Sequence, residues 1–243
     1  MPVIYEPRGR AREYAPLAAN LYSGCAHGCK YCYAPDVLRR SRDDFRSGIA
    51  VRSNILAELT KDARRLSGAN ARVLLSFTTD PYQPVEAEQR ITRQAIEILH
   101  EHGLAVEVLT KGGARAARDF DLLGKGDAFA TTLTFLDAGR SREWEPYAAA
   151  PEERIDVMRF AHQRGIPVWV SLEPVIDPEE SLELIRRTAP FVDLFKVGTL
   201  NHHPLAKAID WAGFGAAAET LLQALGKDYY IKDDLRAHMK RSA

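Results

Sequence analysis

Residues 25–32 read Cys25-Ala26-His27-Gly28-Cys29-Lys30-Tyr31-Cys32 and contain all three cysteines of the chain. Three thiolates this close together are one ligand short of the four that a structural zinc ion takes. A cubane of four irons held by three cysteines instead leaves one iron open for a further ligand. The CxxxCxxC spacing therefore favours an iron–sulfur site, with Cys25, Cys29 and Cys32 as its metal ligands.

A zinc knuckle is the main alternative, and it would use His27 as the fourth ligand. Cysteines that merely pack in a core are less consistent with Gly24 and Gly28, which let a loop fold tightly around a bulky group. A disulfide framework would need an even number of cysteines in a small secreted chain. Because a zinc knuckle needs no cofactor pocket, residues elsewhere in the chain can discriminate.

The composition is that of an ordinary globular protein, with 46% hydrophobic and 27% charged residues among 243. We expect a single domain over residues 1–243, with a core at about 16–226 and short N- and C-terminal extensions. No apolar run approaches the ~20 residues that span a bilayer. No signal peptide follows Met1. We therefore expect a cytoplasmic protein without a membrane partner, in a compartment where thiols stay reduced.

The formal net charge of zero conceals an asymmetry along the chain. Residues 1–72 carry 13 Lys and Arg against 7 Asp and Glu, whereas residues 73–243 carry 20 against 26. The basic part includes two arginine clusters that can contact phosphates: Arg8, Arg10, Arg12 and Arg39, Arg40, Arg42, Arg46. Asp43 and Asp44 lie among them, so an ordinary solvated face is equally consistent. Nucleic acid is therefore a candidate partner.

Short apolar runs alternate with amphipathic helical patterns through most of the chain. We predict six strands, each followed by a helix, at residues 18–22, 73–77, 105–109, 128–133, 167–172 and 191–197. Six such units without hairpin signals favour parallel strands joined by right-handed crossovers. Six strands are too few to close an eight-stranded barrel. We therefore predict an α/β fold, a partial (β/α)6 TIM-type barrel with outer helices.

Polar residues follow every predicted strand, at the end where catalytic groups of such barrels gather. They are the cysteine loop, residues 76–84, Thr110-Lys111, Thr131-Thr132, Glu173 and residues 196–203. A packing scaffold or a zinc knuckle would not need polar groups at all six ends. The pattern therefore favours an enzyme site.

The chain resembles the radical S-adenosylmethionine (radical SAM) superfamily, and within it spore photoproduct lyase and the DNA repair photolyase-like proteins. The resemblance rests on residues 20–34, NLYSGCAHGCKYCYA, on residues 78–84, TTDPYQP, and on Thr110-Lys111. It implies a 4Fe–4S cluster on the three cysteines, with the amine and carboxylate of SAM on the fourth iron. It also implies reductive cleavage of SAM to a 5′-deoxyadenosyl radical and an external one-electron donor of the flavodoxin or ferredoxin type.

The same resemblance implies roles for individual residues. Tyr31 matches the aromatic residue that lies against the adenine of SAM. Thr78, Thr79 and Asp80 take the place of a glycine-rich, acid-ending turn that binds the methionine amine, although its glycines are missing here. Lys111 and Thr132 suit the carboxylate and the ribose hydroxyls of SAM. Glu173 is expected to bond SAM or a neighbouring lysine such as Lys196.

Three functions remain open at this point. The lyase-like motifs and the basic first third favour a radical SAM enzyme that acts on nucleic acid. Spore photoproduct lyase returns hydrogen with a further cysteine and nearby tyrosines, and this chain has no fourth cysteine. That absence leaves a peptide or small metabolite as the alternative substrate and Tyr33 as the candidate catalytic residue. The third function is a non-catalytic zinc or iron–sulfur binding module.

Overall fold

A computed structural model describes residues 2–241, which are organised around one eight-stranded sheet. The strands are β1 Ile4–Tyr5, β2 Leu17–Ala19, β3 Tyr22–Ser23, β4 Ala50–Val51, β5 Arg72–Leu75, β6 Ala105–Thr110, β7 Ala128–Thr132, β8 Val168–Leu172, β9 Leu194–Val197 and β10 Asp228–Ile231. The sheet order is β1-β2-β5-β6-β7-β8-β9-β10, and β3 pairs with β4 separately. β1 runs antiparallel to β2, and each later pair of neighbours in the sheet is parallel.

Helices follow the parallel strands and cover the outside of the sheet. They are α1 Ala34–Val37, α2 Arg42–Ser47, α3 Ile55–Arg65, α4 Glu86–Gln89, α5 Ile91–Glu101, α6 Ala138–Trp144, α7 Pro151–Gln163, α8 Pro178–Thr188, α9 Trp211–Ala224 and α10 Asp233–Arg241. Three short 3-10 helices lie at Gly9–Glu13, Gly113–Asp119 and Pro204–Ala208. Among the described residues, no helix is long and apolar enough to cross a bilayer.

The predicted partial barrel is confirmed. The six predicted strands correspond to β2 and β5 to β9, all parallel. The two extensions also contribute, since β1 and β10 form the two edges of the sheet. The sequences of these two edge strands do not show the apolar run of a buried strand. Strand β1 has only two residues, and three of the four residues in β10 are at least partly exposed. Glu13, in the 3-10 helix between β1 and β2, reaches the β10 edge by accepting hydrogen bonds from the Asp233 amide (2.7 Å) and the Tyr230 hydroxyl (3.3 Å).

Local backbone features set two helix boundaries. Helices α4 and α5 are separated at Arg90, which adopts the left-handed conformation with φ +51°. Helix α9 runs without a break through Gly213 and Gly215, and both glycines allow a close approach of other groups. A Cβ at Gly213 would lie 2.3 Å from the capping carboxylate of Asp210, and one at Gly215 would lie 2.7 Å from Met239.

Two sets of apolar side chains alternate along each strand, as pleating requires. One set faces the helices and includes Val73, Val106, Phe129 and Val170. The other faces the inside of the barrel and includes Ala18, Leu74, Ala128, Ala130 and Trp169. Because most of the inner residues are small, the barrel has room for a cavity at the carboxyl ends of its strands.

Candidate active site

A cavity of about 680 Å³ opens at the carboxyl ends of the strands. It is lined by all eleven residues predicted as ligands, cofactor contacts or catalytic group: Cys25, Cys29, Tyr31, Cys32, Tyr33, Thr78, Thr79, Asp80, Lys111, Thr132 and Glu173. These residues come from the loop after β3 and from the ends of β5, β6, β7 and β8. The fold therefore brings the whole predicted set together, and the role of each residue stays a prediction.

The cysteine loop follows β3 and contains two glycines with positive φ, Gly24 at +79° and Gly28 at +66°. A side chain at Gly24 would meet the Phe45 carbonyl oxygen at 2.6 Å, so the loop can follow this path only with glycine there. The three cysteines form no disulfide. The Cys25 amide donates to Phe45 O (3.1 Å), and the Cys32 amide donates to Cys29 O (3.1 Å).

The three thiols fit a metal cluster. Burial raises the pKa of all three, and that of Cys29 rises to about 12 even though the Lys111 ammonium opposes the change. At neutral pH these thiols would stay protonated unless a metal supplied positive charge, because metal binding deprotonates its ligands. All three line one cavity, so their thiolates can bind the same group there.

His27, the proposed fourth ligand of a zinc knuckle, is engaged elsewhere. Its Nε2 lies 3.1 Å from Asp80 Oδ2, and its Nδ1 lies 3.2 Å from the Tyr147 carbonyl oxygen. The Nε2 contact has the distance of an ion pair but not the alignment of a hydrogen bond. The side chain is 2% exposed, so it has little freedom to turn towards the thiols.

Asp80 connects three parts of the site. Its carboxylate accepts hydrogen bonds from the Tyr82 amide (2.8 Å), the Thr110 hydroxyl (2.6 Å) and the Lys111 amide (2.7 Å). Burial alone would raise the pKa of Asp80, but His27 and these hydrogen bonds outweigh burial and hold it well below its usual value. Asp80 is therefore an anion that joins the ends of β5 and β6 to the cysteine loop.

Tyr31 is held from behind by a buried ion pair that the sequence did not indicate. Its hydroxyl donates to Glu145 Oε1, and Arg154 Nη2 lies 2.6 Å from Glu145 Oε2. Burial chiefly, and then the charge of Glu145, raises the pKa of Tyr31, so the phenol stays protonated. On the other side, Lys111 Nζ lies 5.6 Å from the centroid of the Tyr31 ring.

Glu173 pairs with a different lysine from the one expected. Its Oε2 accepts from Lys232 Nζ and from the Tyr14 hydroxyl (2.5 Å). Lys196 instead donates to the Tyr14 carbonyl (2.6 Å) and lies 4.4 Å from the centroid of the Trp169 ring inside the barrel. The expectation for Lys196 was wrong because the lysine that reaches Glu173 follows β10, which no pattern placed in the sheet.

A comparison with protein families matches residues 19–192 to the Radical SAM superfamily. The chain belongs to the radical SAM superfamily. Membership implies SAM and an iron–sulfur cluster as cofactors, which agrees with three thiols on one wall of a large cavity. The resemblance stated from the cysteine loop is confirmed.

Relatives of this radical SAM protein include an isomerase. An uncharacterized protein of Methanocaldococcus jannaschii is 27% identical over 191 residues, which cover 77% of this chain and 71% of the relative. The radical SAM Nalpha-GlyT isomerase of Pseudomonas phage M6 is 26% identical over 212 residues, covering 86% of this chain and 42% of the isomerase. This chain thus spans less than half of that isomerase.

Solved structures share the fold of this radical SAM protein. A spore photoproduct lyase variant with bound AdoMet and dinucleoside spore photoproduct has a TM-score of 0.65 and 17% identity, covering 89% of this chain and 64% of the lyase. Streptococcus suis SuiB bound to its precursor peptide SuiA has a TM-score of 0.68 and 13% identity, covering 93% and 50%. The fold likeness to the lyase confirms the architecture expected from the resemblance.

The mouth of the cavity carries an exposed aromatic residue and two arginines. Tyr33 is 45% exposed, and its hydroxyl donates to the Phe77 carbonyl (3.3 Å). Arg10 lies 3.7 Å from Asp234, and Arg8 forms no ion pair within residues 2–241. Both arginines line the cavity. Of the two adjacent histidines, His202 lines the cavity, whereas His203 caps the 3-10 helix Pro204–Ala208.

Proposed function

We propose that the chain is a radical SAM enzyme in which Cys25, Cys29 and Cys32 hold a 4Fe–4S cluster and whose substrate is a nucleic acid. The observation that carries the proposal is the single cavity lined by all eleven predicted residues, with the cysteines beside the ends of four parallel strands. When bound, the cluster and SAM supply reductive cleavage of SAM and a 5′-deoxyadenosyl radical. The protein supplies binding, orientation and protection from water.

The residues around the cysteines are suited to bind and orient SAM. Tyr31 presents its ring to the cavity, and its hydroxyl is fixed on Glu145. Lys111 places a half-buried cation beside that ring, where it can pair with a carboxylate. Thr78 and Thr132 offer hydroxyl groups to the same space. Together these groups suit an amino acid carboxylate, ribose hydroxyls and an adenine ring.

Apolar side chains line the cavity between its polar ends. Phe77, Leu109 and Pro174 contribute walls that carry no polar side-chain atoms. Such walls exclude water from a reactive intermediate and prevent side reactions. This feature suits radical chemistry better than it suits a non-catalytic zinc or iron–sulfur binding module.

The mouth of the cavity favours nucleic acid as the substrate. Arg8 and Arg10 can contact phosphates, and the exposed ring of Tyr33 can stack on a base. The fold alone does not select a substrate, because two proteins with this fold bind different molecules. SuiB is bound to a precursor peptide, and the lyase is bound to a dinucleoside spore photoproduct. Repair of the lyase's lesion is not part of the proposal, since this chain has no fourth cysteine to return hydrogen.

An external one-electron donor of the flavodoxin or ferredoxin type completes the proposal. All three cysteines of the sequence lie in one loop, so the donor would deliver its electron to the one cluster that this loop can hold.

The test is anaerobic reconstitution with iron and sulfide, followed by reduction and an assay for 5′-deoxyadenosine with and without single-stranded DNA or RNA. We expect SAM cleavage that nucleic acid accelerates, and none in Cys29→Ala. Binding of the nucleic acid should weaken as salt rises, because phosphate contacts release counterions. A protein that holds one zinc ion and cleaves no SAM would refute the enzyme. Acceleration by peptides but not by nucleic acid would refute the substrate.

A further inference from the structure

We propose that Thr79 and Gln83 are positioning residues that fix the backbone of the cysteine loop on both sides of Cys25. The inference rests on the proposed function, because it assigns these two side chains to the cluster site. It also changes the expected role of Thr79, which the resemblance assigns to SAM. Thr78 remains the threonine of that segment that is available to the cofactor.

The contacts surround Cys25 directly. The Thr79 hydroxyl donates to the Gly24 carbonyl oxygen at 2.6 Å. Gln83 Oε1 accepts from the Ala26 amide at 3.0 Å. Gln83 Nε2 donates to the Thr79 hydroxyl oxygen at 3.1 Å and lies 3.4 Å from the Gly24 carbonyl oxygen. The residues before and after Cys25 are thus held by two side chains that are also bonded to each other.

The cysteine loop needs this support because its own sequence makes it flexible. Glycine has more backbone freedom than any other residue type, and positions 24 and 28 are both glycine. Ordering the loop at these positions therefore costs more conformational entropy than ordering other residues would. Gln83 has no exposed surface, so its amide would lose its hydrogen bonds without compensation from water if the loop moved away. The two side chains therefore favour one loop conformation over the others.

Neighbouring threonines in this segment have different partners. The Thr79 hydroxyl uses its hydrogen on Gly24 and accepts from Gln83, which occupies most of its bonding capacity. The Thr78 hydroxyl has no hydrogen-bond partner within the described chain, although its backbone amide donates to Asn20 Oδ1 (3.0 Å). Both threonines line the cavity. In the TTDPYQP segment, Thr79 and Gln83 therefore bind the cysteine loop, whereas the Thr78 hydroxyl is available to the cavity.

Three variants separate positioning from cofactor binding. Thr79→Val removes the hydroxyl at nearly constant volume, Thr79→Ser restores it, and Thr78→Val removes the neighbouring hydroxyl. The readouts are the electron paramagnetic resonance spectrum of the reduced cluster without SAM and the rate of iron loss to a chelator. We expect Thr79→Val to change the spectrum and to accelerate iron loss on the order of tenfold, as for other residues that orient metal ligands. Thr79→Ser and Thr78→Val should match the unchanged protein in both readouts.

An unchanged spectrum and unchanged iron loss in Thr79→Val would overturn the proposal, as would a change that appears only after SAM is added. If Thr79→Val does not fold, Gln83→Met tests the same contacts, and Gln83→Glu retains the acceptor for the Ala26 amide. Gln83→Met should behave as expected of Thr79→Val, and normal behaviour in it would also overturn the proposal. Failure of the proposed function is distinguishable, because the unchanged protein would then bind no cluster or cleave no SAM.

Discussion

Glu145 and Arg154 form an ion pair that is almost completely buried, with 2.6 Å between Glu145 Oε2 and Arg154 Nη2. The other carboxylate oxygen accepts from Tyr31, and the guanidinium also donates to the carbonyls of Ala149 (2.7 Å) and Thr132 (3.0 Å). One pair thus joins the start of α7, the end of β7 and the cysteine loop.

Arg154→Met should destabilise the metal-free protein by about 3–5 kcal/mol, because Glu145 would be left buried without its partner. Urea unfolding followed by circular dichroism measures the change. Arg159 lies on the same helix and pairs with Asp156 at 2.5 Å on the surface. Arg159→Met is therefore the matched control, with an expected loss of less than about 1 kcal/mol. Equal losses in the two variants would contradict the importance of the buried pair.

The reactivity of Cys29 should respond in opposite directions to two neighbouring charges. Burial is the main cause of its raised pKa, Lys111 lowers that pKa, and Glu145 raises it. In the metal-free protein, Lys111→Met should therefore slow alkylation of Cys29 at pH 8, and Glu145→Gln should accelerate it, because the thiolate is the reactive form. Peptide mass spectrometry after timed iodoacetamide treatment gives both rates. Faster alkylation in Lys111→Met would contradict the assigned electrostatics.

Asp127 should make stability depend on pH. Burial would raise its pKa, but hydrogen bonds from His100 (2.9 Å), the Gly124 amide (2.9 Å) and the Val106 amide (2.7 Å) lower it overall. A folded-state pKa below the unfolded value stabilises the fold above the unfolded pKa, and the contribution is lost as pH falls through the folded pKa. Asp127→Asn should therefore cost about 1–3 kcal/mol at pH 7 and progressively less below about pH 4. Urea unfolding at several pH values tests this, and a cost that does not fall in acid would contradict it.

The arginines at the mouth of the cavity should contribute to nucleic acid affinity. Arg8→Ser and Arg10→Ser should each weaken binding and reduce the slope of log affinity against log salt by about 1, as the loss of one phosphate contact does. Fluorescence anisotropy with labelled single-stranded DNA measures both effects. Arg64, an exposed residue of α3 that does not line the cavity, provides the control Arg64→Ser. An equal effect of Arg64→Ser would indicate nonspecific attraction rather than a site.

The sequence predicts the parts of the molecule that follow local rules. The cysteine spacing indicates the superfamily, and the apolar runs predict β5 to β9, because burial on both faces of a parallel strand leaves a continuous apolar signal. Contacts between residues on different strands of the barrel leave no such signal in the local sequence. Tyr14 and Lys232 meet at Glu173 although they lie 159 and 59 residues away from it in sequence. Only the three-dimensional closure of the sheet brings them together.

Glu145 and Arg154 escaped prediction for a related reason. They lie in the segment between β7 and β8, where a charged side chain ordinarily faces water. Here Arg154 is turned inward on α7 to reach a carboxylate nine residues earlier. A capping pattern, such as the one in which Asp177 Oδ1 accepts from the Glu180 amide (3.1 Å), can be read from neighbours in sequence. An ion pair that faces inward leaves no comparable pattern among neighbouring residues, so it cannot be predicted in this way.

The contact between Glu13 and the β10 end has a mechanical consequence for the barrel. Neighbouring strands elsewhere in the sheet are joined by ladders of backbone hydrogen bonds, whereas β1 and β10 are the sheet's two ends. Across that gap, Glu13 supplies side-chain contacts to Tyr230, Lys232 and Asp233. Within residues 2–241, the barrel wall beside Glu13 is therefore held closed by side chains and not by a ladder of backbone hydrogen bonds.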